Sequence, residues 1–437
     1  MPRASEFVGR YRWLICLLLF LGTSINYIDR QILSLLKPIL DDQLKWTNED
    51  YGRVNAAFQG SYAVGLLLFG PFVDRVGTKI GYAVSIAAWS LAAMGHGLVG
   101  GVSGFFRARV ALGVSEGGNF PSAIKAVALW FPKRERAFAT ALFNSGANVG
   151  AIIAPAIVPV VAAAWGWQAP FILAGAAGLL FLLLWLPFYD VPEKIGHLSR
   201  GELAHIRADR DEPAPSNAQS SQGGARNWLS LLRYRQAWSF IVCKLLTDPV
   251  WWFFLIWLPD FFKKTRGLDL KKSWLHLVSI YVIVTVLSIA GGWLTGYLTK
   301  KGSSPERARK VAMFLFAVSV LPILFVTRAS DWGAVVLIGV AGAAHQAWSA
   351  NLFTTVSDMF PKRAVGSVVG LGGMAGSLGG IAFPILAGRL LDHFQKSGNV
   401  TTGYSILFGF CGFAYLLAFG ISHLLAPSFE RVADLPS

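Results

Sequence analysis

Charged side chains stand inside runs of this chain that are otherwise long and apolar enough to cross a bilayer. A membrane-spanning helix needs about 20 predominantly apolar residues. The sequence offers twelve such runs, near 12–34, 52–74, 80–100, 104–130, 137–163, 167–189, 237–262, 273–299, 307–327, 332–358, 364–391 and 402–425. In lipid every backbone polar group must be paired within the protein, so such runs fold as helices. Only 14% of the 437 residues are charged and 54% are hydrophobic, against about 25% charged in a soluble protein. These figures exclude a soluble enzyme with one anchor and predict an all-α membrane protein of twelve transmembrane helices.

The one long polar segment, about 191–235, divides the runs six and six. The expected domains are an N-terminal six-helix bundle (1–190), a cytoplasmic central loop (191–235) and a C-terminal six-helix bundle (236–437). The loop begins with a stretch of mixed charge, GELAHIRADRDE. The Pro-, Ser- and Gly-rich piece PAPSNAQSSQGGARN follows and reads as flexible. The halves repeat. Residues 130–155 read WFPKRERAFATALFNSGANVGAIIAP and residues 359–384 read MFPKRAVGSVVGLGGMAGSLGGIAFP, aligned at a constant offset of 229. This predicts two pseudo-symmetric bundles, an arrangement that places ligands at the interface near the bilayer midplane. The same offset pairs Glu116 with His345, so that two titratable groups would face one central cavity.

A net charge of +15 raises the question of nucleic acid. The basic residues lie in short loops between spans, where the positive-inside rule accounts for them. That rule predicts a multi-pass protein of the inner (cytoplasmic) membrane with both termini cytoplasmic, partnered by lipid and by no nucleic acid. The N-terminal apolar run, lacking a small-x-small cleavage site, reads as a retained first span. One external loop, with Lys263, Lys264, Arg266, Lys271 and Lys272, runs against the rule; it reads either as an anion attractor or as a solvated helix end. Cys16, Cys243 and Cys411 are far apart in apolar runs and form no metal or disulfide pattern. No phosphate-binding loop, nucleotide fingerprint or metal cluster is present, so no enzyme and no cofactor is expected. Transport without an ATP site must be driven by an ion gradient.

The fourth run carries Arg109, Glu116 and Lys125. Arg109 and Glu116 are seven residues apart, two helical turns, so they share a face about 10 Å apart along the axis. A charge at bilayer depth costs from about 3 to over 10 kcal/mol unless paired or facing water. The alternatives are a proton-and-anion pathway and a structural ion pair. The first run holds Asn26, Tyr27, Asp29, Arg30 and Gln31. Asp29 and Arg30 point about 100° apart and cannot neutralise each other on one face. Asp29 is a candidate protonation site, and Arg30 a bidentate clamp for a carboxylate. The second run places Gln59 and Tyr62 on one face; Tyr62 could bond a sugar hydroxyl or simply pack. In the seventh, Lys244 and Asp248 are four residues apart, beside Pro249, which is expected to kink or break the helix. They read equally as a self-satisfied pair or as coupling or gating residues. The tenth holds His345, Gln346, Trp348, Ser349 and Asn351: an indole to stack on a sugar ring, polar groups for hydroxyls, and a histidine able to titrate or to act as a hydrogen-bonding residue. Asn144 and Asn148 in the fifth run and Ser377 in the eleventh could complete a lining.

The segments INYIDRQ, GPFVDRVG, RVALGVSEGGNFPSAIKAV, FPKRERA and HQAWSANLFTTVSDMFPKRAVGSVVGLGGMAG together resemble the anion:cation symporter family of the major facilitator superfamily, within it the bacterial hexuronate transporters. The GPFVDRVG loop matches the family's G-x-x-x-D-R-x-G motif, with Asp74 and Arg75 in the gating positions. Its counterpart at Gly292–Gly302 has Gly296 where the Asp belongs. The resemblance implies a major facilitator fold and proton-coupled symport of sugar acids such as galacturonate and glucuronate. It implies proton sites at Asp29 and Glu116, Arg partners at Arg30 and Arg109, and a second-span Tyr at Tyr62. The residues themselves add Tyr27, Asn148, His345, Gln346, Trp348, Ser349, Asn351 and Ser377 as candidate substrate contacts. Some aldonate-carrying relatives have Gln where this chain has Ala147, and Asn near Ser377; those departures favour a ring-form uronate. The coupling ion is the proton, sodium being the weaker alternative. The expected partner is a small organic anion, carried by a monomer through alternating access. The competing substrates are aldonates, tartrate-like diacids and aromatic acids. A ligand sensor would need a signalling domain.

Overall fold

The computed structural model describes residues 9–196, 198–207, 230–268, 270–360, 362–430 and 432. Its helices are α1 (Tyr11–Leu44), α2 (Asn48–Val76), α3 (Thr78–His96), α4 (Val102–Glu116), α5 (Asn119–Trp130), α6 (Lys133–Asn144), α7 (Gly146–Trp165), α8 (Gln168–Phe188), α9 (Arg200–Arg207), α10 (Arg235–Arg266), α11 (Leu270–Lys300), α12 (Pro305–Val320), α13 (Asp331–Met359), α14 (Lys362–Lys396) and α15 (Val400–Leu425). Ten helical stretches among the described residues are long and apolar enough to cross a membrane, α6 and α7 counting as one. The two expected spans that fall short have local causes. α3 has 19 residues with Lys79 and His96 near its ends. The fourth run is not one helix: it divides into α4 and α5 at Gly117 and Gly118.

Two expected boundaries move. The first helix continues through Pro38 to Leu44, ten residues past its apolar run. Pro249 does not break α10, which is continuous from Arg235 to Arg266. The carbonyl that Pro249 leaves without its helical partner belongs to Leu245, and Gly379 of α14 lies directly against that carbonyl. A neighbouring helix thus covers the defect, as membrane helices allow.

The described residues form two compact units, one from residues 1–40 and 57–217, the other from 41–56 and 218–437. In the first, α3 and α8 lie close because Gly175 and Gly178 face Ser90; a side chain on either would collide with it. An aromatic stack closes their ends: Trp185 meets Tyr189 at 4.0 Å and Tyr82 at 4.7 Å. The mixed-charge stretch of the central segment folds in part as α9 and docks on this unit. Glu202 is 1% exposed and accepts from the Tyr11 and Arg12 backbone N–H groups at 3.2 and 3.0 Å and from Arg12 Nη1 at 3.3 Å. It therefore caps the start of α1, where unpaired N–H groups favour a carboxylate. The Pro-, Ser- and Gly-rich piece lies outside the described residues.

In the second unit α10 packs against α14 and α15, with Phe253, Phe261 and Phe408 edge to face. α10 ends on Gly267, whose left-handed φ of 64° lets its N–H return to the Lys263 carbonyl. Three members of the basic cluster, for which anion attraction is one reading, stand in the last turn of α10 and are paired. Lys263 pairs with Asp42 at 3.2 Å and Arg266 with Asp331 at 3.0 Å. Lys264 donates to Asn48 Oδ1 at 2.9 Å and Gln395 Oε1 at 3.0 Å, and Asp260 lies 3.4 Å away. Asp392 accepts the backbone N–H groups of Asn48 and Glu49, which open α2, at 2.9 and 2.8 Å. Pairing accounts for the positive charge of Lys263, Lys264 and Arg266.

Candidate functional site

In the first unit a charged centre forms where α1, α2 and α4 meet. Bare backbones set the spacing. A side chain on Gly117, at the end of α4, would collide with Gly65 of α2, and one on Gly113 with Phe58 and Ser61. This approach brings the aromatic face of α2 to the polar face of α1. Arg30 Nε donates to Glu116 Oε2 at 2.6 Å, the two side chains being 9% and 0% exposed. The Arg30 guanidinium lies over the rings of Tyr62 (4.5 Å), Tyr27 (4.9 Å) and Phe58 (5.3 Å). A cation in such a cage is stabilised by the ring faces as well as by its carboxylate. Arg109, 2% exposed, donates through Nη2 to the Arg30 carbonyl at 3.3 Å and shares the Phe58 ring.

Asp29 and Glu116 are both buried in this unit. Asp29 is 2% exposed, and neither of its oxygens has a hydrogen-bond partner among the described residues. Asn26 stands beside the Glu116 carboxylate in the same place. Buried polar groups are normally paired, so the bare Asp29 carboxyl marks a place where a proton can be held. Asn148 is half-buried on α7, two residues from Gly150, where a side chain would meet the Ser24 carbonyl and Tyr27. Asn144 is exposed at the end of α6.

Asp74 pairs with Lys125 of α5 at 2.7 Å, and Lys125 also donates to the Val73 carbonyl at 3.0 Å. Arg75 is exposed beside it. The third charge of the fourth run thus belongs to the loop motif and not to the buried centre.

In the second unit Lys244 and Asp248 are paired at 2.7 Å along α10, 9% and 18% exposed, with Lys244 over the Phe353 ring at 4.8 Å. His345 stacks on Trp251 at 5.3 Å and its Nδ1 bonds the Tyr415 hydroxyl at 2.6 Å. Trp348 is 0% exposed and stands edge-on to Tyr415 at 5.6 Å. Asn351 accepts from Thr295 at 2.7 Å and donates to the Ala347 carbonyl at 2.9 Å. Gln346, Ser349 and Ser377 are half-buried, and Ser377 donates to Gly373 of its own helix at 3.0 Å.

Residue types in the sequence drew attention to most of these groups, but not to Phe58, Trp251 or Tyr415. A lone aromatic in an apolar run carries no signal until its partner is placed.

Residues 19–384 match the model of the Major Facilitator Superfamily. The chain is 31% identical to the hexuronate transporter of Escherichia coli (strain K12), covering 91% of this chain and 90% of that one. It is 27% identical to the D-galactonate transporter of Escherichia coli O6:H1, over 88% and 90%. Among solved structures, a bacterial homolog of the human lysosomal transporter Spinster, in its inward-facing and unoccupied conformation, superposes with a TM-score of 0.77 at 16% identity, covering 98% of this chain and 100% of that one. A duplicated helical chain with this match along most of its length is a membrane transporter and not an enzyme: it belongs to the major facilitator superfamily.

Proposed function

We propose that the protein is a proton-coupled symporter of sugar acids, with hexuronates such as galacturonate and glucuronate as substrates, working by alternating access in the inner membrane with both termini cytoplasmic. The observation that carries the reading is the buried Arg30–Glu116 pair beside an Asp29 that has no hydrogen-bond partner among the described residues. Two carboxyl groups and two guanidinium groups are formally neutral together when all are charged. Each proton taken up by Asp29 or Glu116 uncovers one positive charge for one substrate carboxylate. Protonation of Glu116 releases Arg30 from its partner, and the guanidinium fork is then free to bind the acid in two-point fashion. Release of the proton on the other side restores the pair and expels the anion. Breaking a buried pair costs about 3–5 kcal/mol when one charge is left alone, so neither proton nor substrate is favoured without the other. That interdependence is what coupling requires. Tyr27, Tyr62 and Asn148 supply hydroxyl and amide contacts for the sugar.

The names of the similar transporters support a sugar acid as substrate. The relative identified with D-galactonate keeps an aldonate as the second reading. The experiment is uptake of labelled galacturonate, glucuronate and galactonate into vesicles under an imposed pH gradient, with and without an uncoupler. The expected result is uncoupler-sensitive accumulation of the two uronates above galactonate. Glu116→Gln abolishes accumulation while exchange persists. Undiminished accumulation by that variant, or indifference to the uncoupler, defeats the proposal.

A further inference from the structure

Where the first unit carries the Asp74–Lys125 bridge, the second has a hole. The loop motif repeats with Gly296 in the place of Asp74, and the constant offset of 229 carries Lys125 to Thr354. Gly296 and Thr354 line one cavity of about 810 Å³, among the ends of α11 and α13 and the start of α12. A side chain on Gly296 would meet nothing within 4 Å. Both members of the bridge are thus replaced by uncharged residues, and the space stays open.

The lining holds two kinds of group. Lys300 and Arg309 bring positive charge, and no carboxylate stands among the described lining residues. Arg309 also pairs with Asp358, outside the lining, at 2.7 Å. The threonine protons are spent within the protein: Thr299 donates to the Thr295 carbonyl at 2.9 Å, Thr354 to the Ala350 carbonyl at 2.7 Å, and Thr295 to Asn351 Oδ1 at 2.7 Å. Each hydroxyl oxygen keeps lone pairs and accepts from a ligand O–H. The lining therefore suits an anion on the cations, joined to free hydroxyl groups on the threonines. The mouth adjoins a path for hydrocarbon. Val282, Val286, Ile289 and Trp293 are exposed and recur every three or four residues along α11, so they form one stripe that leads to Gly296 and Lys300. Trp293 stacks on Tyr297 at 4.7 Å, and Lys301 lies over the Tyr297 ring at 4.8 Å. An aromatic pair beside lysines at the end of a span is the arrangement of the headgroup level.

We infer that this cavity holds the headgroup of an anionic phospholipid. The phosphate meets Lys300 and Arg309, the hydroxyls of a glycerol headgroup meet Thr299 and Thr354, and an acyl chain lies along the α11 stripe. The lipid then fastens the ends of these helices as the bridge fastens α2 to α5. Nothing in this site depends on which acid is transported.

The test is binding of phosphatidylglycerol to the delipidated full-length protein in detergent, counted by native mass spectrometry and read as a rise in Tm. The wild-type protein should bind it about tenfold more tightly than phosphatidylcholine. Gly296→Asp, which sets a carboxylate in the open space, should weaken binding about tenfold, and Lys300→Gln about fivefold. Both variants should unfold at the wild-type temperature without lipid. Lys300→Gln, at an exposed position, decides the matter should Gly296→Asp unfold early. Arg307→Gln removes an exposed charge from the first turn of α12, outside the lining, and should bind as the wild type does. Equal losses in Arg307→Gln and Lys300→Gln would mean unspecific attraction to basic residues and overturn the inference. Equal affinity for phosphatidylcholine, or unchanged binding in Lys300→Gln, overturns it too. So does displacement of the lipid by glycerol phosphate or galacturonate, which would make the cavity a site for a soluble anion.

Discussion

Arg30 is held by one carboxylate and three aromatic rings at once, which makes its chemistry hard to imitate. A lysine at this position keeps the charge but loses the planar fork and the stacking face. Arg30→Lys is therefore expected to reduce uptake at least tenfold at limiting substrate, an affinity loss of about 1.4 kcal/mol or more, measured as a rise in KM for the labelled acid. Uptake within twofold of wild type would show that the ring cage is ordinary packing. Asp29→Asn should behave differently. Its oxygens accept no hydrogen bond among the described residues, so an amide of the same shape costs little structure. The folded yield should stay near wild type while proton-driven accumulation is lost. Both acids and both arginines were legible in the sequence, because charge inside an apolar run stands out. The partner of each was not. Arg109 and Glu116 share a helix and a face, yet Glu116 pairs with Arg30 of another helix. Spacing along one helix says which residues share a face but not what approaches it.

At the level of elements, the apolar runs located most helices and misplaced several ends. The fourth run reads as one span because Gly117 and Gly118 interrupt neither its length nor its apolarity. Both glycines lie in close tertiary contact: a side chain on Gly117 would meet the Gly65 backbone, and one on Gly118 would meet Phe69 and Ser85. Gly117→Leu is expected to drive α2 and α4 apart and abolish both folding and transport, whereas a substitution at Gly100, which faces open space, should be tolerated in thermal unfolding. The start of α2 offers a milder test. Asp392 serves as its cap from outside the helix, accepting two backbone N–H groups and the Asn48 side chain. Asp392→Ala takes the acceptor from the two backbone N–H groups and should cost about 1–2 kcal/mol, as the loss of a helix cap does, seen as a lower Tm. Asp392→Asn, which keeps an acceptor, should recover part of the loss. No local pattern announces a cap supplied from more than 300 residues away. The basic loop near Lys263 was ambiguous for the same reason, since its acidic partners are distant in sequence.

Across the whole chain, the repeat was legible because one offset preserves FPKR, a glycine and a proline. A single offset nevertheless misses that α1 and α10 correspond at a different step: Gly150 lies against Ser24 and its counterpart Gly379 against Leu245, so the Trp251–His345 stack appears only when contacts are compared. The same whole-chain view shows polar fastenings outside the spans that hold the first unit together. Burial alone would raise the Glu135 carboxyl, but hydrogen bonds from His205 and Arg12 outweigh it and hold the group below its ordinary value of 4.5. Burial is likewise outweighed at Asp190, which the Val191 N–H and Lys79 hold below 3.8. A carboxyl depressed in the folded state contributes stability above its unfolded value and loses it as pH falls through the folded one. The protein should therefore keep a level Tm down to about pH 5 and lose stability progressively below the two ordinary values as both groups protonate. Glu135→Gln abolishes one contribution outright: Tm should fall at pH 7, and the acid slope should flatten relative to wild type. Parallel wild-type and variant curves from neutral to acid pH would show that the contacts joining α1, α6 and α9 do not support the fold, and that the buried centre is held by helix packing alone.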